Sequence, residues 1–96
     1  MPRATYTSEA ERDLGQIAAY IAQDNLLAAM TWLDETRATC DLLASQPAIG
    51  QPIKTRRFGE VRRHVVGNYL IYYEPTPEGI DAVRVVHAAR KQGRLV

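Results

Sequence analysis

At 96 residues the chain has room for one small domain and not for a second, so its hydrophobic core has to be thin. Hydrophobic residues at 46% and charged residues at 24% are ordinary globular composition, which argues against a disordered or fibrous class. The net charge of +1 hides a division: residues 1–50 carry three arginines against seven carboxylates, a net −4, whereas residues 51–96 carry nine cations against four carboxylates, a net +5, which makes the second half a candidate surface for anionic partners.

Residues 3–7 alternate in character and include β-favouring Thr5 and Tyr6, which predicts a first strand. Ser8, with Glu11 three positions on, fits a capping box and starts a helix there. Ala10, Leu14, Ile17, Ala18 and Ile21 then recur at three- and four-residue spacing, a stripe with one buried face. Asp24 and Asn25 interrupt the pattern, and either can cap a second helix beginning near Leu26. Ala29, Leu33, Thr36, Cys40 and Leu43 carry it on, with Trp32 and Leu42 widening the stripe, until Pro47 ends it by removing a backbone donor. So short a link between two helices predicts an antiparallel hairpin.

Residues 48–59 hold Gly50, Pro52 and Gly59 among basic side chains and read as an ordered loop. The period then changes. Residues 61–66, 69–74 and 82–87 are rich in Val, Ile or Tyr, and Gly67-Asn68 is a two-residue hairpin signal, with 75–81 as a longer second turn. The expected fold is α+β, in the order βααβββ: one domain over 1–96, with a helical hairpin on a small antiparallel sheet whose apolar face meets the helices. The tail, 88–96, is too polar and short to promise a further buried element.

Chemistry has little to build on. One Cys and two His on separate predicted strands lack metal-ligand spacing, so no metal or other cofactor is expected. Cys40 falls on an apolar helix stripe and reads as core, and no glycine-rich phosphate loop occurs. A single cysteine forms no internal disulfide, the amino terminus lacks a signal-peptide layout, and no apolar run is long enough to span a membrane, so a cytoplasmic location is expected. The remaining signal is cationic: Arg56, Arg57, Arg62, Arg63, Arg84, Arg90, Lys91 and Arg94, with His87 beside them. The bland reading is a solvated sheet face and charged tail. The functional reading is contact with phosphates or acidic protein, and the excess of arginine favours forked contacts.

In this order of elements, Tyr6 with Ser8 and Ala10, then Asp13-Leu14, Ile17 and Tyr20-Ile21, resemble the opening of the ParE branch of the ParE/RelE toxin superfamily. Ala28-Ala29, Leu33, Leu43, Pro47 and Gly50 resemble its second helix and the loop beyond it. The most specific stretch is Val61-Arg62-Arg63, Val66 through Ile71, and Tyr73, followed by Arg84 through His87 and Arg90. The resemblance implies a toxin of a type II toxin–antitoxin system that inhibits DNA gyrase by stabilising its cleaved-DNA complex, without a catalytic site of its own. It also implies a ParD-like antitoxin bound in a hetero-oligomer, with operator DNA contacted only through that antitoxin. Candidate target-binding residues are Arg56, Arg57, Arg62, Arg63, Arg84, His87, Arg90, Lys91 and Arg94. Candidate antitoxin-binding residues on the hairpin are Leu14, Ile17, Tyr20, Ile21, Ala29, Trp32 and Leu33, where exposed apolar surface is expected. Two alternatives stand beside this: a RelE-like ribosome-dependent messenger endonuclease using Arg62, Arg84 and His87, and a non-toxic module that retains only antitoxin binding. Against the nuclease, Ala88-Ala89 follows His87 and no tyrosine lies after Tyr73.

Overall fold

The computed structural model describes residues 1–90 and 94–96. Strand β1 (Arg3–Tyr6) leads into helix α1 (Ser8–Ala22), and α2 (Leu26–Ser45) returns along it. A short 3₁₀ turn (Pro47–Ile49) precedes β2 (Gln51–Thr55), β3 (Gly59–Val66), β4 (Tyr69–Thr76) and β5 (Gly79–His87). The sheet order is β1-β5-β4-β3-β2, with β1 parallel to β5 and every other pair antiparallel. The α+β class and the helical hairpin are as the sequence predicts.

Three local expectations change. The α1 cap is Thr7, whose Oγ1 accepts the Ala10 N–H at 3.0 Å, and Glu11 reaches across to Arg37 of α2 instead of back to the cap. Asn25 caps α2 as expected, accepting from the Ala28 N–H at 2.9 Å. The stretch expected as a loop contains β2, an edge strand: Pro52 is tolerated there because an edge needs fewer ladder donors, and Lys54 keeps it from pairing with other chains. The second turn is also tighter than expected. Arg3 pairs with Gly79 and Thr76 with Gly79, so β4 and β5 run on to a link of only Pro77 and Glu78.

Both sheet faces are apolar, not one. On the helix side Ala10, Leu14, Cys40 and Leu43 pack with Ile71, Tyr73, Ile80, Ala82 and Val85. Full burial of each large side chain here contributes about 1.5–3 kcal/mol. On the outer side Val61, Leu70, Tyr72, Val83 and Val86 form a second cluster, and Val96 from the tail is packed into it, against the expectation that the tail stays outside. No helix among the described residues is long and apolar enough to cross a membrane.

Burial pushes the Tyr6 and Tyr73 phenols and the Cys40 thiol up. Folding thus favours each neutral form. The stability this brings is full below the unfolded-chain values, about 8.5 for Cys and about 10 for Tyr, and is lost as pH rises through the higher folded values. The urea midpoint is expected to fall progressively above about pH 9, and a midpoint unchanged to about pH 11 would contradict the burial of these groups.

Candidate protein-interaction site

The site begins where β1 stops. Tyr6 pairs with Ala82, and past that point β5 has no neighbouring strand on this side among the described residues. Thr7 and Asp13 close the start of the open edge. The Thr7 N–H donates to Ala82 O and the Thr7 hydroxyl to Val83 O, both at 3.0 Å, and Asp13 Oδ2 accepts the Val85 N–H at 2.9 Å. A bulge at Val83 reverses the facing of the residues after it: Tyr72 pairs with Arg84 but Tyr73 with Ala82. Val85 and His87 consequently turn toward the helices, and Arg84 shares the outer face with Tyr72.

Arg84 reaches past the β5 edge to α1. Its Nε donates to Asp13 Oδ2 at 2.7 Å and its Nη2 to Asp13 Oδ1 at 3.0 Å, a forked pair with both side chains nearly buried. Glu9 lies 3.6 Å away and is itself gripped by Arg57 at 2.7 Å, which holds the Glu9 carboxyl below its usual value.

Beyond Asp13 a cleft of about 410 Å³ opens between α1 and β5. Gln16, Ile17 and Tyr20 form the helix wall, Tyr69 the floor, and Val85, His87 and Arg90 the far side. The floor is rigid: Trp32 and Tyr69 rings meet edge-on at 5.2 Å, and Tyr69 and His87 at 5.1 Å. His87 Nδ1 accepts the Ala89 N–H at 3.0 Å, which leaves Nε2 as the ring's other nitrogen for any further contact.

The expected hairpin contacts divide. Tyr20 is 69% exposed, Ile17, Ile21, Trp32 and Leu33 are half-buried, and Leu14 and Ala29 are interior at 1% and 3%, out of reach of a partner without unfolding. Exposed apolar surface does lie along the hairpin, but mostly at its tip, on Leu26, Leu27 and Met30, which a stripe-based reading passes over because they sit off the buried face.

The cationic set divides as well. Arg57 and Arg84 are tied to Glu9 and Asp13, and Arg62 donates to the carbonyls of Ala48 and Gly50, so each of these three already has a partner within the fold. Arg56, Arg63, Arg90 and Arg94 form no ion pair among the described residues, and Lys91 lies outside the described residues. The nuclease trio does not converge: Arg62, in register with mid-strand Tyr73, is held at the 3₁₀ turn, while His87 is in register with Tyr69, four positions back along β4, in a cleft that Arg62 does not line. His87 instead shares its cleft with Arg84 and Arg90.

The family model for the ParE toxin of the type II toxin–antitoxin system parDE matches residues 4–92. The chain belongs to the ParE toxin family. It is thus a ParE-type toxin of a type II toxin–antitoxin system. Among solved structures, the chromosomal ParDE TA system from P. aeruginosa is similar in fold, with a TM-score of 0.71 at 17% identity, covering 91% of this chain and 96% of that one. No curated protein matches.

For this ParE toxin the sequence points to Tyr20, Ile17, His87 and Arg90 but not to the residues that shape the cleft around them. Asp13 and Tyr69 stand out in the sequence only as parts of a family resemblance, because their roles depend on partners in distant elements: Asp13 on Arg84 and Val85, Tyr69 on Trp32 and His87.

Proposed function

We propose that this ParE toxin inhibits DNA gyrase by stabilising its cleaved-DNA complex, acting by docking rather than by chemistry. A ParD-like antitoxin neutralises it by laying its carboxyl-terminal segment over the hairpin and into the α1–β5 cleft. The observation that carries this reading is that expected antitoxin contacts, Ile17 and Tyr20, line the same cleft as expected target contacts, Arg84, His87 and Arg90. One bound segment therefore covers both sets, so occupancy by the antitoxin is itself inhibition. The exposed tip residues Leu26, Leu27 and Met30 extend the apolar track such a segment would take. A cytoplasmic hetero-oligomer that touches operator DNA only through the antitoxin completes the reading.

Gyrase incubated with plasmid and the toxin is expected to accumulate cleaved DNA, and added antitoxin to reverse it. Replacing the exposed aromatic by a charge, Tyr20→Glu, is expected to weaken antitoxin binding by about 30-fold or more, the effect of losing about 2 kcal/mol at an interface hot spot. Undisturbed supercoiling at high toxin concentration would end the gyrase reading. A second reading, ribosome-dependent messenger cleavage, draws on His87 sharing its cleft with Arg84, Arg90 and two tyrosines. Cleavage in a translating extract that disappears on His87→Ala would establish it. Normal growth of cells expressing the chain alone would leave only the non-toxic module.

A further inference from the structure

The outer face of the sheet is closed by the chain's own residues 94–96, and the closure is slight. Val96 is packed against Val61, Leu70, Tyr72, Val83 and Val86, with Leu95 half-buried beside it. Three hydrogen bonds hold this strap, all from arginines: the Arg57 N–H to Val96 O at 2.8 Å, Arg57 Nη1 to Leu95 O at 3.0 Å, and Arg84 Nη1 to Leu95 O at 3.2 Å. Among the described residues no strand pairs with it.

The floor beneath is not finished as a core would be. Tyr72 is wholly buried, yet its hydroxyl has no hydrogen-bond partner among the described residues. A dry phenol of this kind is penalised in the closed arrangement and relieved as soon as water or an incoming acceptor reaches it. The neighbouring positions on the same face are also suited to contact. Val65, in register with Leu70, is 58% exposed, and Arg63, in register with Tyr72, forms no ion pair among the described residues. Against one packed valine and three hydrogen bonds stand the ordering of three residues and the unsatisfied phenol, opposing effects of similar size.

We propose that residues 94–96 are a detachable latch over the target-binding face of the sheet. Closed, it hides the Leu70, Tyr72, Val83 and Val86 floor. Released, it presents that floor, with the Tyr72 hydroxyl as donor and Arg63 at its side, to an apolar protein segment carrying a carboxylate. The inference rests on the proposed gyrase reading and extends its target contacts from the α1–β5 cleft to the outer face, where Arg63, another expected target contact, lies in register with Tyr72. Because Arg84 bonds both Leu95 O and Asp13, the latch and the cleft share one guanidinium, and a segment that repositions Arg84 from the cleft side bears on the latch.

The test is a reversible lock. The residue 57 amide donates to the residue 96 carbonyl, so Arg57→Cys with Val96→Cys puts two thiols on hydrogen-bonded neighbours, and their closure on oxidation is checked by thiol titration before the assay. Cys40 is fully buried and does not compete. The oxidised form is expected to yield at least about tenfold less gyrase-linked cleaved DNA than the same protein reduced. The opposite change, Leu95→Ser with Val96→Ser, is expected to tighten target binding about tenfold, because the competent state is no longer a minor one. Equal activity of oxidised and reduced forms, or weaker binding on unlatching, overturns the latch. Hydrogen exchange reads it without gyrase: the Arg57 amide of the native chain is expected to exchange at least about tenfold faster than the Ile71 amide in the core strand, and equal protection overturns the latch as well. A native chain that shows this exchange difference but leaves gyrase untouched would defeat the target assignment and leave the latch standing.

Discussion

Asp13→Ala is expected to lower the stability of the fold by about 3–5 kcal/mol, the usual cost of stripping one partner from a buried ion pair. Asp13 and Arg84 side chains are only 11% and 12% exposed, and Asp13 accepts from Arg84 twice and from the Val85 N–H once. Alanine leaves the nearly buried Arg84 guanidinium with only the longer 3.6 Å contact to Glu9 as an ion pair, and a strand amide without an acceptor in the same place. For a domain of this size that loss corresponds to a fall in Tm of more than about 10 °C. Asp13→Asn keeps an acceptor for Val85 and is expected to fall between the two. The decisive comparison is Asp13→Leu with Arg84→Met, which removes charge on both sides and is expected to recover much of the loss, as replaced buried pairs commonly do. A cost below about 1 kcal/mol for Asp13→Ala, read from the urea midpoint, would show the pair to be screened like a surface one.

That pair also shows which features are legible in a sequence and which are not. The helices are legible because their signals are local: Asn25 caps three residues ahead of the amide it binds, and Leu14, Cys40 and Leu43 repeat on a stripe that lands in the core. Gly67 takes the positive φ that its turn between β3 and β4 requires. Glu11 misleads for the opposite reason, since its partner is Arg37, 26 residues on, and nothing near Ser8 announces it. Strand β2 is hidden because an edge strand is half exposed, and Gln51, Pro52 and Lys54 look like loop residues. The tail is hidden by the second apolar face: Tyr72, Val83 and Val86 look like alternating strand positions, and only the bulge at Val83 decides which of them face the helices. Of the candidate site, residue types are legible and availability is not. Arg57, Arg62 and Arg84 are indistinguishable by sequence from Arg56, Arg63 and Arg90, yet the first three are consumed by contacts to residues as much as 71 positions away.

Tyr73→Ala is expected to cost about 3–5 kcal/mol, since the ring is fully buried and its removal leaves a cavity under α2. The hydroxyl has a separable role. It donates to Pro47 O at 2.7 Å and accepts the Gly50 N–H at 2.8 Å, fastening the 3₁₀ turn to the sheet. The fit is close enough that a Cβ at Gly50 would lie 2.8 Å from two ring carbons of Tyr73, so the turn can approach only because residue 50 is glycine. Tyr73→Phe keeps the ring and leaves both partners unsatisfied, for which about 1–3 kcal/mol is expected. Arg62, bonded to the carbonyls of Ala48 and Gly50, is the second fastener of the same turn, so Arg62→Met alone is expected to be milder than its pairing with Tyr73→Phe. If the double substitution costs more than the sum of the singles, the phenol and the guanidinium each cover for the other, and an arginine expected as a target contact belongs to the frame that carries β2. If the costs simply add, Arg62 holds the turn independently of the ring, and the turn's position rests on two fasteners rather than one shared joint.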